Sequence, residues 1–241
     1  MTPWTITCTL VAPVVLSTRT PLVGDALLSA AEALRHWGGT AMTRQPVTGT
    51  DWIDRLPLPV AEDCGHWACS LVTFHPPFVR MADRLYKTSD GRVTPPKELG
   101  SGARKAAMVD LTTWSIPQIS FDVDTTNEAQ SASLADLVTR FFPRITVGSM
   151  GRIGYGRIGQ ATLLPRDPTV RAVWDAQDQP RRPLRVTDLP PDWVRDPDKT
   201  VLLAMRAEPP RWYGPKEWCV VPHPNSWLPL NPDTRSPVYA D

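Results

Sequence analysis

Long apolar runs are missing from this sequence. No stretch approaches the ~18 residues that a membrane-spanning helix needs. The apolar opening at residues 8–16 has no basic segment before it, and Pro13 interrupts it. Neither a secretory leader nor a membrane anchor is expected. Cysteine is scarce: four in 241 residues, at Cys8, Cys64, Cys69 and Cys219, too few for a disulfide scaffold of this length. The expectation is a cytoplasmic protein with reduced thiols. Net charge is almost absent, with 26 basic residues against 25 acidic. The overall field therefore selects no partner, and only local patches can. Lysine is sparse beside arginine, 5 against 21. Arginine forks match phosphate better than a lysine point charge does, although a GC-rich coding sequence produces the same bias.

The familiar catalytic signatures are missing too. There is no Gly-Lys-Ser/Thr of a Walker loop and no G-x-S-x-G elbow, and His36, His66, His75 and His223 are too scattered to suggest a triad. The segment from Cys64 to Cys69 has the residue types of a metal fragment. Strand alternation, however, puts His66 on one face with Ala68 and Ser70, and Cys69 on the other. Buried free thiols are the simpler reading, and neither a metal nor a cofactor is expected. Asp122 and Asp124 share one strand face and are expected to meet solvent rather than act as an acid–base pair.

What is present favours extended, loop-rich structure. Proline is abundant, 27 residues, roughly twice the usual share of ~5%, which rules out a long helical bundle. Apolar residues make up 41%, enough for a real core. Residues 4–16 alternate as a strand through Ile6, Cys8 and Leu10. Residues 25–37 have helical spacing, with Asp25 as the N-cap and Gly38-Gly39 as the stop. Residues 66–74 form a second strand ended by Pro76-Pro77, and residues 78–105 a basic, turn-rich excursion. Residues 116–123 make a third strand. Residues 133–142 make a second helix ended by Pro143, and residues 145–147 begin a fourth strand that runs into a glycine-rich segment. Residues 160–164 are strand-like.

The order β-α-β-excursion-β-α-β predicts an α+β fold: a ferredoxin-like βαββαβ core with an antiparallel sheet. This domain covers residues 1–165, with a thumb-like hairpin insertion at about 78–110. Residues 166–241, rich in paired prolines and holding five of the ten tryptophans, read as an extension packed on that core, with one good strand at 200–206.

The glycine segment runs from Gly148 to Gly159 and contains G-x-G-x-x-G at Gly154, Gly156 and Gly159. A dinucleotide site needs a helix to open there. The chain continues instead as strand-like residues into Pro165, so no helix N-terminus can meet a pyrophosphate. A glycine-rich hairpin is one reading. The other is a backbone-lined RNA groove. In that groove Gly151, Gly154 and Gly156 let N–H groups approach a phosphate, Arg152 and Arg157 add charge with no acid between residues 140 and 157, and Tyr155 offers a stacking face. The excursion carries Arg80, Arg84, Lys87, Arg92, Lys97, Arg104 and Lys105 against Asp83, Asp90 and Glu98. It is either a solvated charged hairpin or a basic clamp on a nucleic-acid backbone.

Several stretches resemble the RAMP superfamily of CRISPR-associated proteins. They are the Pro21-Leu22-Val23-Gly24-Asp25 opening of the first helix, the Gly148 to Gly159 run, Trp67 to Ser70, Gly100 to Lys105, and Cys219 to Pro222 after Pro209 to Tyr213. Within the superfamily the chain is similar to the Cas-five-type subunit of type IV, class 1 effector complexes. The resemblance implies a non-enzymatic subunit that grips the 5′ handle of the crRNA and caps one end of the backbone filament. Its partners would be crRNA or another single-stranded RNA, Cas-seven-type backbone subunits and a large subunit. The excursion would be the thumb, and the glycine loop would face the RNA. The contact set would be Gly151, Arg152, Gly154, Tyr155, Gly156 and Arg157, with Arg84, Lys87, Arg92, Lys97, Arg104 and Lys105 from the thumb. The thumb is poor in aromatics, with Phe78 and Tyr86 alone, which favours backbone contacts over stacking. Two alternatives stand beside this reading. One is a repeat-processing endoribonuclease of the same superfamily with His36 as general acid. The other is a purely structural assembly subunit without RNA contact.

Overall fold

The computed structural model describes residues 1–17, 20–37, 57–87, 107–149, 151–207 and 216–227. These form a mixed α and β protein with antiparallel sheets and few helices. The first strand, β1 (Thr2–Leu10), leads to α1 (Gly24–Trp37). A tight hairpin, β2 (Glu62–Asp63) and β3 (His66–Trp67), precedes β4 (Thr73–His75). A long ribbon follows, β5 (Val79–Lys87) against β6 (Ala107–Ser115), and then β7 (Gln118–Thr125), α2 (Glu128–Phe141) and β8 (Ile158–Pro165).

The main sheet has the order β4-β7-β1-β8, every neighbour antiparallel. Its register sets Ile6 and Cys8 of β1 beside Phe121 and Ile119 of β7, all four buried under the helices. Leu27, Leu28 and Ala31 of α1 and Leu134, Leu137 and Val138 of α2 complete this core. The ring of Phe121 stacks on Phe142 at 6.2 Å between centroids. Gly24 is required where α1 begins, because a Cβ there would lie 2.1 Å from the Phe121 ring. The helices meet through Arg35, whose guanidinium donates to Ser133 at 3.0 Å.

Residues 166–227 add β9 (Leu184–Arg185), β10 (Thr200–Met205) and β11 (Glu217–Pro222), in a sheet of order β10-β11-β9. This segment is riveted to the main sheet by ion pairs. Arg166 reaches Asp122 at 3.3 Å and also pairs with Asp124. Arg181 reaches Asp122 at 2.6 Å. Asp124 also accepts from the Ala172 N–H at 3.0 Å. Asp122 and Asp124 are therefore buried and paired rather than solvated. Their strand face is open in the isolated sheet, but residues 166–181 fold back over it, and buried carboxylates need cationic partners.

The deepest rivet joins Arg182 and Asp25, both completely buried, at 2.7 Å. Arg182 also donates to the carbonyl oxygens of Trp67 and of Ala207. Asp25 is not the expected N-cap. It lies inside the first turn of α1, and its carboxylate serves this cation.

Other boundaries shift for local reasons. β1 ends at Leu10, ahead of Pro13, and Val14 and Val15 form only isolated bridges, to Trp114 and Ser149. The expected strand at 66–74 is broken into β3 and β4, with Cys69 and Leu71 in single bridges. α2 starts five residues early because Asn127 caps it, accepting from the Gln130 N–H at 2.9 Å. Residues 145–147 form no strand; a 3-10 turn (Phe142–Arg144) is followed by one bridge, Thr146 to Arg157. The Gly38-Gly39 stop lies outside the described residues.

Candidate nucleic-acid interface

The glycine loop is built on the segment after β1. The Gly156 N–H donates to the Pro13 carbonyl at 2.7 Å, the Ser149 N–H to the Val15 carbonyl at 2.9 Å, and the Val147 N–H to the Gly156 carbonyl at 2.8 Å. Val14 in turn bridges Trp114 of β6. Loop, connecting segment and ribbon stem are thus three adjacent layers.

Two glycines are fixed by these contacts. Gly156 has φ +65°, and a Cβ there would sit 1.9 Å from the Val147 carbonyl oxygen. Gly151 is closed by the Thr146 hydroxyl, 2.0 Å from where a Cβ would be. Gly154 differs: φ is +102°, yet nothing lies within 4 Å of the Cβ position. Space is open there beside the exposed Ile153, but the Gly154 N–H donates to the Gly151 carbonyl at 3.0 Å and the Gly156 N–H is taken by Pro13, so the expected offer of these two N–H groups to a phosphate is not met.

Tyr155 departs from expectation. Its ring is buried, and its hydroxyl donates to the Asp83 carboxylate of β5. No free stacking face remains, and the side chain is instead a tie between loop and ribbon. Asp83, which also accepts from the Arg84 N–H at 2.7 Å, is held below the usual carboxylate range chiefly by the Tyr155 hydroxyl. The same bond pushes the Tyr155 hydroxyl upward.

The remaining expected contact residues fall into three groups. Arg157 is exposed next to the loop, opposite Thr146. Arg84 is exposed, but strand alternation turns it to the ribbon face away from Asp83, where it pairs with Asp110 at 2.8 Å. Such a surface pair contributes little and opens readily to a better anion. Arg92, Lys97, Arg104 and Lys105 lie outside the described residues. Lys87 ends β5, and Arg152 occupies a 3-10 turn (Gly151–Ile153); both side chains also lie outside the described set.

The open face of the main sheet is a poor platform for bases. Thr7, Thr9, Ser120 and Thr162 project there, and one end is covered by the Arg166 and Arg181 pairs. Stacking on a sheet needs aromatics, and this face presents hydroxyls. A groove of about 590 Å³ between α2 and β8, lined by Trp4, Ser131, Ala135, Thr139, Ala161 and Leu163 among others, is also uncharged. His36, the general-acid candidate, pairs with Glu32 at 3.1 Å, one turn back on α1. His66 pairs with Asp188 at 2.9 Å and is buried. Among the described residues no cluster of three His, Cys, Asp or Glu side chains could hold a metal ion, and no helix is long and apolar enough to cross a membrane.

Sequence reasoning missed Arg166, Arg181 and Arg182. Their partners are 42 to 157 residues away, and no local pattern announces such pairs. No family model matches the chain, and no curated protein matches it.

Proposed function

We propose that this chain binds single-stranded RNA along its glycine loop and serves as a guide-RNA subunit of a CRISPR class 1 ribonucleoprotein, in the manner of a Cas-five-type protein of the type IV branch. It would grip the 5′ handle of the crRNA and cap the end of a Cas-seven-type filament, without catalysis of its own. The observation that carries the reading is the bond from Tyr155 to Asp83. It ties the glycine loop to the stem of the β5–β6 ribbon, so that loop and hairpin border one surface. The open space beside the Gly154 Cα and the exposed Arg157 support the same reading. The path β1-α1-β4-β7-α2-β8, folded into the sheet order β8-β1-β7-β4, supports a ferredoxin-like core with the β5–β6 ribbon as its thumb.

The test is anisotropy of a labelled single-stranded RNA against the full chain over a salt series. The wild-type log–log slope is expected to fall by about 0.7 for each phosphate contact removed. Arg152→Ala with Arg157→Ala should lower both affinity and slope. Wild-type affinity and slope in that variant would refute the reading. In the same tubes, with EDTA present, repeat RNA is expected to stay intact. A discrete product abolished by His36→Ala would decide for the processing nuclease.

A further inference from the structure

We infer that the RNA surface continues past the glycine loop onto the C-terminal end of α2, where Arg140 and Arg144 form a second phosphate grip; this rests on the RNA reading above. Both guanidiniums lie over the one ring of Phe141, with central carbons 5.6 and 5.9 Å from its centroid. The two charges are therefore no farther apart than the sum of those distances. The ring is buried, so it fixes the pair against the protein while their forks face water. Arg140 is 68% exposed, and Arg144 is exposed as well.

The link to the loop follows from chain proximity. Arg144 ends the 3-10 turn with its side chain exposed, two residues before Thr146. Thr146 bridges Arg157 antiparallel, and opposed residues of such a pair project to the same side. The Thr146 hydroxyl points at Gly151, which marks that side as the glycine-loop side. Arg140 and Arg144 therefore stand a short step along the chain from the bridge that holds Arg157 beside the glycine loop.

Carboxylates are missing from this stretch of the chain. From Leu137 to Arg166 the sequence has no Asp or Glu. Asp136 pairs with Arg140 at 3.2 Å, but both are solvent-exposed, and Asp83 is engaged by Tyr155. The end of a helix attracts cations through its carbonyl dipoles, which accounts for one arginine there. It does not account for two sharing a ring close to a third. Guanidinium forks match phosphate oxygens two at a time, and three neighbouring forks suit a linear polyanion better than an isolated anion.

The test uses the full chain and a fluorescein-labelled oligouridine over a salt series. Arg140→Gln with Arg144→Gln should weaken binding and lower the log–log slope by about 1.4, two phosphates' worth. Arg140→Lys with Arg144→Lys should keep most of the slope, which separates lost charge from lost fold. If the Gln pair binds as the wild type does while Arg152→Ala with Arg157→Ala binds weakly, this second grip is refuted and the RNA reading stands. If neither pair changes binding, both are refuted.

Discussion

Replacing Arg182 by Met should cost more stability than almost any other single change in the chain. The substitution keeps length and apolar bulk but removes the charge. Asp25, wholly buried, is left without the guanidinium that sits 2.7 Å from it. The carbonyls of Trp67 and Ala207 each lose one donor in the same step. Breaking a buried ion pair from one side costs about 3–5 kcal/mol, because the surviving charge stays desolvated. Domains of this kind have about 5–15 kcal/mol in total, so about a fifth or more of the stability should go. In urea the midpoint should fall by about 1–2.5 M at a slope of about 2–3 kcal/mol per molar. The decisive companion is Arg182→Met with Asp25→Leu. Replacing both members by apolar side chains is often neutral or stabilising, so the double variant should recover most of the loss. A single-variant cost below about 1 kcal/mol would refute the reasoning, as would a double variant no better than the single. Either result would mean that Arg182 does not pin the C-terminal region to the start of α1.

Three further outcomes follow from the same geometry. Gly156→Ala should destabilise more than Gly154→Ala. Both carry a left-handed φ, worth about 1–3 kcal/mol to a residue with a side chain, but only Gly156 would also drive a Cβ into the Val147 carbonyl oxygen; equal losses in chemical denaturation would contradict this. The tie between Asp83 and Tyr155 should be pH-dependent. The lowered Asp83 value makes its contribution present above about pH 4 and lost as pH falls through that lowered value. The raised Tyr155 value makes its part present below about pH 10 and lost as pH rises through the raised value. Melting curves of wild type and Tyr155→Phe should therefore differ near neutrality and converge in strong acid; a constant difference across that range would count against the tie. Thiol labelling should be slow in the folded protein at pH 8, since burial pushes Cys8 up to about 12 and Cys64 up to about 11. Rapid modification of Cys8 without unfolding would contradict its burial.

Periodicity made the central elements legible. Alternation of Ile6 and Cys8 with threonines, and the apolar face of Leu134, Leu137 and Val138, are local signals, and both survive as core. The start of α2 was less legible. Glu128, Ala129 and Gln130 carry no apolar stripe, so the first turn of α2 is visible only through its Asn127 cap. The glycine loop was legible as a backbone turn, and Gly154 and Gly156 do adopt positive φ, but their N–H groups bond to Gly151 and Pro13 rather than standing free for a phosphate. The environment of Tyr155 was not, because its partner Asp83 stands 72 residues earlier. The same distance effect hid the fate of Asp122 and Asp124. A strand pattern says which face a carboxylate takes, but not that a later segment will arrive with arginines to cover it.

The central claim is that the glycine loop and the neighbouring ribbon stem hold one ribose-phosphate strand. Photocrosslinking of the full chain to a thiouridine-substituted single-stranded RNA, followed by peptide mapping, tests it most directly. The account predicts adducts on the peptides spanning 149–157 and on the 79–115 hairpin. Adducts confined to the hydroxyl face of the main sheet around Thr7 and Thr162, or to the 200–222 hairpin, would contradict it.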